Sequence, residues 1–387
     1  MTLAHQQTRF QSVAAVARTL QPTSPVYCLY PGVLRRAAET FIAGFPGRVL
    51  YAVKCNPHPW VLDALAAGGI DAFDTASLAE IGQVRERCPN AACYFMNPVK
   101  PRAAISTARH VHGVTVFVID HVDELTKIAD QLGRDPDVTV VVRMTTRDDG
   151  AAAFHLASKF GAPSGEAADL MRRADALGYR TGLAFHVGSQ CRAPDAYRTA
   201  LLDAGAVIAQ AGVAPACLDV GGGFPVTYQA PAVPPPEAYM AAIRDGLAAL
   251  NLPPDCEVLA EPGRALVAAG CTLLIQIHLR KDGRLYVNDG VYGSLSEMKA
   301  IPTRMPATLI RRDGRPAGEH RSFELAGPTC DSLDILPDAV TLPDDAREGD
   351  WIAIDMLGAY ANALVTGFNG FRPETFVEID DDPTPAA

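Results

Sequence analysis

A chain of 387 residues is too long for one ordinary domain and comfortable for two, and 48% hydrophobic with 20% charged residues is the balance of a soluble globular protein. The net charge of −10 argues against a nucleic-acid partner, which needs a concentrated basic face, and is compatible with a cationic small substrate. Nine cysteines, an odd number without CxxC pairs, fit neither a disulfide framework nor a zinc site and read as small buried residues of a reducing compartment.

The opening MTLAHQQTRFQSV has no cationic flank before an apolar core, so no signal peptide is expected. No window approaches about 18 uncharged apolar residues, so no membrane span is expected and the address reads as the cytoplasm. The run VYCLY at 26–30 precedes the main pattern and is expected to return to a later domain.

From residue 49 one rhythm repeats. Apolar or β-branched runs occur at 49–53, 70–73, 92–96, 114–119, 137–143, 182–186, 217–220 and 257–260. Helical patterns such as SLAEIGQVRER and VDELTKIADQLG lie between them. Strict alternation predicts parallel strands, and eight is the number that closes a (β/α)8 barrel of the TIM type. After about residue 265 the pattern changes. Alternating runs at 271–279, 284–288, 322–326 and 351–355 lack long intervening helices and predict an antiparallel β domain. The domains read as a barrel over 31–265 and a β-sandwich or barrel over 266–387, joined by residues 1–30.

In such a barrel the chemistry gathers where strands end. The strand ends here carry Lys54, Asp74, Asn97, Asp120, Arg143, His186, Gly221-Gly222-Gly223 and Glu261. Alone, Lys54 is more readily an ordinary solvated strand-end lysine; the functional reading is an amine that forms an imine with an aldehyde once desolvation lowers its pKa. The three glycines let backbone N–H groups converge on an anion, or simply form a tight turn. They match neither a P-loop nor a dinucleotide fingerprint. Glu261 and Arg264 read either as a surface ion pair or as one charge for a ring nitrogen and one for a phosphate. His186 could stack on an aromatic cofactor, with Ser189 bonding its phosphate, or be ordinary satisfied structure.

The runs YAVKCN (51–56), HVGSQ (186–190), DVGGGFP (219–225), EPGR (261–264), GPTCDSLD (327–334), LGAY (357–360) and FNGF (368–371) occur in this order. The set resembles the alanine-racemase-like (fold type III) pyridoxal-phosphate decarboxylases, and most closely the ornithine decarboxylases, over about residues 25 to 375. The resemblance implies pyridoxal 5′-phosphate held as a Schiff base on Lys54. Ala52, Asp74 and Arg143 would lie near it, with His186 on the pyridine face and Glu261 on the pyridine nitrogen. Ser189, Gly221, Gly222, Gly223, Arg264 and Tyr360 would hold the phosphate. Cys330 would serve the protonation that follows loss of CO₂, and Asp331 would hold a distal ammonium of the substrate. The resemblance further implies a homodimer in which Cys330 and Asp331 complete the neighbouring subunit's site.

Substrate candidates are Asp331, Tyr292 and Glu297. Ornithine decarboxylases carry an Asp a few residues beyond VYGS; this chain offers Glu297 there, with Lys299 nearby, so Glu297 is either a pocket carboxylate of altered reach or a solvated helix residue. The expected reaction is decarboxylation of ornithine or lysine to putrescine or cadaverine. Diaminopimelate or another diamino acid, an amino-acid racemase, and a relative without activity stand as alternatives. The CDSLD form counts against diaminopimelate and against a racemase, and the intact Lys54, Glu261, Arg264 and Cys330 against the last.

Overall fold

The computed structural model describes residues 9–147, 152–154, 159–229, 232–301 and 304–380. The chain divides into two compact units, one made of 38–226 with 233–265, the other of 1–37, 227–232 and 266–387.

The larger unit is a closed barrel of eight parallel strands. In order they are Arg48–Ala52, Ala72–Thr75, Ala92–Phe95, Val116–Ile119, Thr139–Arg143, Arg180–Ala184, Cys217–Asp219 and Glu257–Ala260. All eight predicted runs supply them, because β–α alternation leaves parallel closure as the way to bury every apolar strand. Helices intervene along the way, several of them started by side-chain caps, as where Ser77 Oγ accepts the Glu80 N–H. Inside, Leu50, Ala72, Tyr94, Met96, Val118, Val141, Ala184, Cys217 and Leu259 form one buried cluster. The fill is tight. A Cβ on Gly182 would approach Cys217 Sγ to 2.5 Å.

The smaller unit is built on a nine-stranded sheet. Its long strand Cys271–Lys281 pairs antiparallel with Arg284–Val287, with Trp351–Ile354 and with Val26–Leu29. The early run does return to the later sheet, as expected, and it also lies parallel to the last strand, Thr375–Ile379. Val26 and Cys28 pack in the core with Leu274, Ile310, Trp351 and Val377. The indole N–H of Trp351 reaches back to the Pro22 carbonyl at 2.9 Å, tying the N-terminal segment to this core. A short two-stranded pairing of Ser189–Cys191 with Ala152–Phe154 was not anticipated. Among the described residues no helix is long and apolar enough to cross a membrane.

Candidate active site

Lys54 does not end its strand. It sits in a single turn of 3-10 helix, Val53–Cys55, just beyond the strand Arg48–Ala52. Ala52 is fixed by its N–H on the Pro262 carbonyl, so the first strand and the EPGR run share a loop contact. Lys54 Nζ donates to Asp74 Oδ2 at 2.8 Å; the lysine side chain is 47% exposed and the aspartate 2%. The amine is therefore ion-paired and half-exposed, nearer to the solvated strand-end lysine than to the desolvated amine of the functional reading.

Asp74 and Arg143 lie within their strands, and Asn97 and Asp120 serve the loops. Asp120 Oδ2 accepts the Gly161 N–H at 2.9 Å, and Asn97 bonds the Ala76 carbonyl. Arg143 rests over the Phe160 ring at 5.6 Å. His186 Nδ1 accepts the Gly188 N–H at 2.9 Å, which puts the proton of a neutral ring on Nε2. Burial, then the Arg143 and Lys54 cations, hold His186 well below its ordinary pKa, so the ring is neutral.

The glycine run is a cradle that tolerates no side chain. Gly221 and Gly223 adopt φ of 68° and 102°, and added Cβ atoms would meet the Phe185 and Gly188 carbonyl oxygens at 2.3 and 2.2 Å. Gly222, between them, faces His186 Nε2 and the Glu261 carbonyl. Tyr197 Oη donates to the Gly222 carbonyl at 2.8 Å, and its ring stacks on Phe224 at 4.9 Å. Sequence reasoning missed this tyrosine. It lies on the helix Asp195–Ala211, and nothing local marks a helical tyrosine as the prop of a loop. Arg264, 4% exposed, donates to Ser189 Oγ at 3.4 Å, so two predicted phosphate ligands meet.

The deepest element is a carboxyl pair. Asp219 ends the seventh strand and Glu261 follows the eighth, near enough for the charge on Asp219 to act on Glu261. Asp219 Oδ1 accepts the Gly221 N–H at 2.7 Å, while among the described residues no protein donor reaches Asp219 Oδ2 or Glu261 Oε1. Burial lifts both pKa values, and Asp219 lifts Glu261 further. Two anions at this range in a dry site are mutually destabilising, so the pair holds a proton. Asp219 was quoted in its motif but given no role; an Asp closing a barrel strand before a glycine run is the signal that was there to read.

An amine, an anion cradle lined by an arginine, a flat neutral imidazole and an orphaned buried carboxyl oxygen together fit pyridoxal phosphate. Its aldehyde, phosphate, aromatic face and pyridinium N–H are their complements. Among the described residues no cluster could hold a metal ion.

The other predicted residues belong to the smaller unit. Tyr292 Oη donates to Asp331 Oδ2, and Asp331 Oδ1 accepts the Leu333 N–H at 2.9 Å. These bonds hold the Asp331 carboxyl below its ordinary range, with Lys299 adding a favourable charge. Cys330, the one exposed cysteine, bonds Asn369. Glu297 is 6% exposed in the short helix Ser296–Ala300, so it is not a solvated helix residue. Lys299 is exposed and donates to the Leu333 carbonyl at 2.6 Å. Tyr360 has φ of 59°, unusual for an aromatic residue, beyond a close approach of Gly358 to the Val267 carbonyl.

Comparison with known proteins agrees with this assembly. The family model for the pyridoxal-binding domain of pyridoxal-dependent decarboxylases matches residues 32–268. The ornithine decarboxylase of Panagrellus redivivus is 34% identical over 364 residues, covering 86% of this chain and 80% of the relative. Among solved structures, the lysine/ornithine decarboxylase of Vibrio vulnificus complexed with putrescine superposes with a TM-score of 0.81 at 31% identity, covering 96% of this chain and 99% of that one. The arginine decarboxylase of Paramecium bursaria Chlorella virus, bound to agmatine, gives 0.82 at 28% identity, covering 94% and 99%. With the family model matched over residues 32–268 and a relative 34% identical over most of both chains, the chain belongs to the pyridoxal-dependent decarboxylases.

Proposed function

We propose that this decarboxylase removes the α-carboxylate of a basic L-amino acid, ornithine or lysine, releasing putrescine or cadaverine and CO₂. The observation that carries the choice is Asp331. Two hydrogen bonds hold it as an anion at the surface of its unit, a receptor for a distal ammonium and a poor one for a second carboxylate. Tyr292 orients that anion.

Bound pyridoxal phosphate supplies an electron sink for the pair of electrons left at Cα when CO₂ departs. The chain supplies the rest. Lys54 would hold the cofactor through its aldehyde carbon, and Asp74 would carry the lysine's charge whenever the amine is free. Glu261, backed by Asp219, would keep a proton on the pyridine nitrogen, and His186 would cover the ring face. Gly221, Gly222, Gly223, Ser189, Arg264 and Tyr360 hold the phosphate, and Arg143 and Ala52 lie beside the reacting end. Cys330 delivers the proton to Cα. Cys330 and Asp331 act in the site of a second copy of the chain in a homodimer, a reading supported by the resemblance and by the exposure of Leu333, Phe368 and Phe371 in the same unit. Nine cysteines with no disulfide among the described residues support a reducing, cytoplasmic setting.

The test is direct. Purified protein is incubated with pyridoxal phosphate and ornithine, lysine, arginine and diaminopimelate, and the released amines are identified. Putrescine or cadaverine is expected; agmatine as the dominant amine reassigns the distal group, and no amine from any of the four overturns the proposal.

A further inference from the structure

Cys330 is held by one atom. Its backbone N–H and its Sγ approach Asn369 Oδ1 at 3.1 and 3.2 Å. A backbone N–H can only donate, so the atom facing it is the amide oxygen, and the thiol meeting that same oxygen must donate its own proton. Asn369 adopts φ 53° and ψ 13°, a conformation open to Asn and Gly at small cost, and Gly370 follows at φ 80°. The same segment holds the substrate anchor. Thr366 N–H and Oγ1 both donate to the Tyr292 carbonyl, and the Phe368 ring lies 4.9 Å from the Tyr292 ring.

We propose that Asn369 is the positioning residue for proton delivery, holding the Cys330 S–H aimed and loaded between turnovers. The proposal rests on the assignment of Cys330 as the donor to Cα. After CO₂ leaves, a proton on the substrate's Cα gives the amine. A proton from water on the cofactor's aldehyde-derived carbon gives, after hydrolysis, an aldehyde and the aminated cofactor. A thiol that keeps its aim favours the first outcome.

Two variants separate the bond from the backbone. Asn369→Gly keeps the left-handed conformation and removes the acceptor; Asn369→Asp keeps an acceptor oxygen. Iodoacetamide labelling of Cys330 in the full-length protein, followed by mass spectrometry at fixed pH, reads the bond without any cofactor. The Gly variant is expected to label roughly fivefold faster, the factor for one neutral hydrogen bond, and the Asp variant no faster than wild type. In turnover the Gly variant is expected to raise the aldehyde-to-amine ratio and the Asp variant to restore it. A purely structural role would slow both products together. Cys330→Ala tests the underlying assignment: if it leaves the ratio unchanged, Cys330 is not the donor, and labelling alone judges the Asn369 bond. If Cys330→Ala shifts the ratio and Asn369→Gly does not, the proposal is overturned, as it is by a wild-type labelling rate in the Gly variant.

Discussion

The barrel and the smaller unit treat their reactive groups in opposite ways. In the barrel, Glu261, Asp219 and Arg264 are sunk in protein and locked by loop and strand geometry. In the smaller unit, Cys330 is exposed and Asp331 faces solvent, both held by side chains of neighbouring loops. Buried, preorganised groups are costly to rearrange; groups on exposed loops are re-aimed by a change of one residue. On the proposed reading the cofactor end is therefore the rigid part of the fold and the substrate end its adjustable part. Relatives named for ornithine, lysine and arginine share this architecture.

Mutations can break or sharpen this contrast. The largest effect is expected for Lys54→Ala, a loss of decarboxylation on the order of 10⁴-fold, together with loss of the borohydride-reducible cofactor adduct. An adduct that persists at the same site would remove Lys54 from its role. Glu261→Gln should cost on the order of 10²-fold in turnover, read as kcat with saturating cofactor. The same residue carries a pH signature. Its folded pKa lies above the unfolded value, so the native chain binds more protons between the two, and cofactor-free protein should lose stability as pH rises through that interval from about 4 upward. Melting curves of Glu261→Gln should show a shallower decline; an identical slope would mean the pair does not hold a proton.

Asp331→Asn should act on the other side of the comparison. Substrate KM is expected to rise roughly 10- to 100-fold, the range for a charge-assisted bond, with cofactor affinity unchanged. If cofactor affinity falls as well, the division of labour between the two units fails. The smallest effect belongs to Tyr197→Phe. Losing one neutral bond to the Gly222 carbonyl should weaken pyridoxal phosphate binding by about fivefold in an equilibrium titration, with substrate KM nearly constant.

What could be read in advance follows the same divide. The barrel strands were legible because each apolar run is a local pattern and their rhythm allows one closure. Lys54, Glu261 and the glycines stood out only as a set, falling in register at or just beyond the eight predicted strands. Tyr197 did not, because its role depends on a helix lying against a loop far away in sequence. The Lys54–Asp74 ion pair was equally hidden, because the fold and no local pattern brings these two residues together. The amide of Asn369 was quoted within its motif, but its meeting with Cys330 required two loops to be placed together.

The strand Val26–Leu29 also bears on how the molecule is made. Its partners, Cys271–Lys281 and Thr375–Ile379, lie beyond the whole barrel in the chain. During synthesis this segment must wait, unpaired and apolar, until Cys271–Lys281 leaves the ribosome, and its second edge stays open until Thr375–Ile379 follows. Closing so long a loop adds only slowly to the entropy cost, yet it makes the pairing late. An exposed strand edge in that interval is open to aggregation, so the yield of native protein should respond to chaperones and to the speed of translation through the final hundred or so residues.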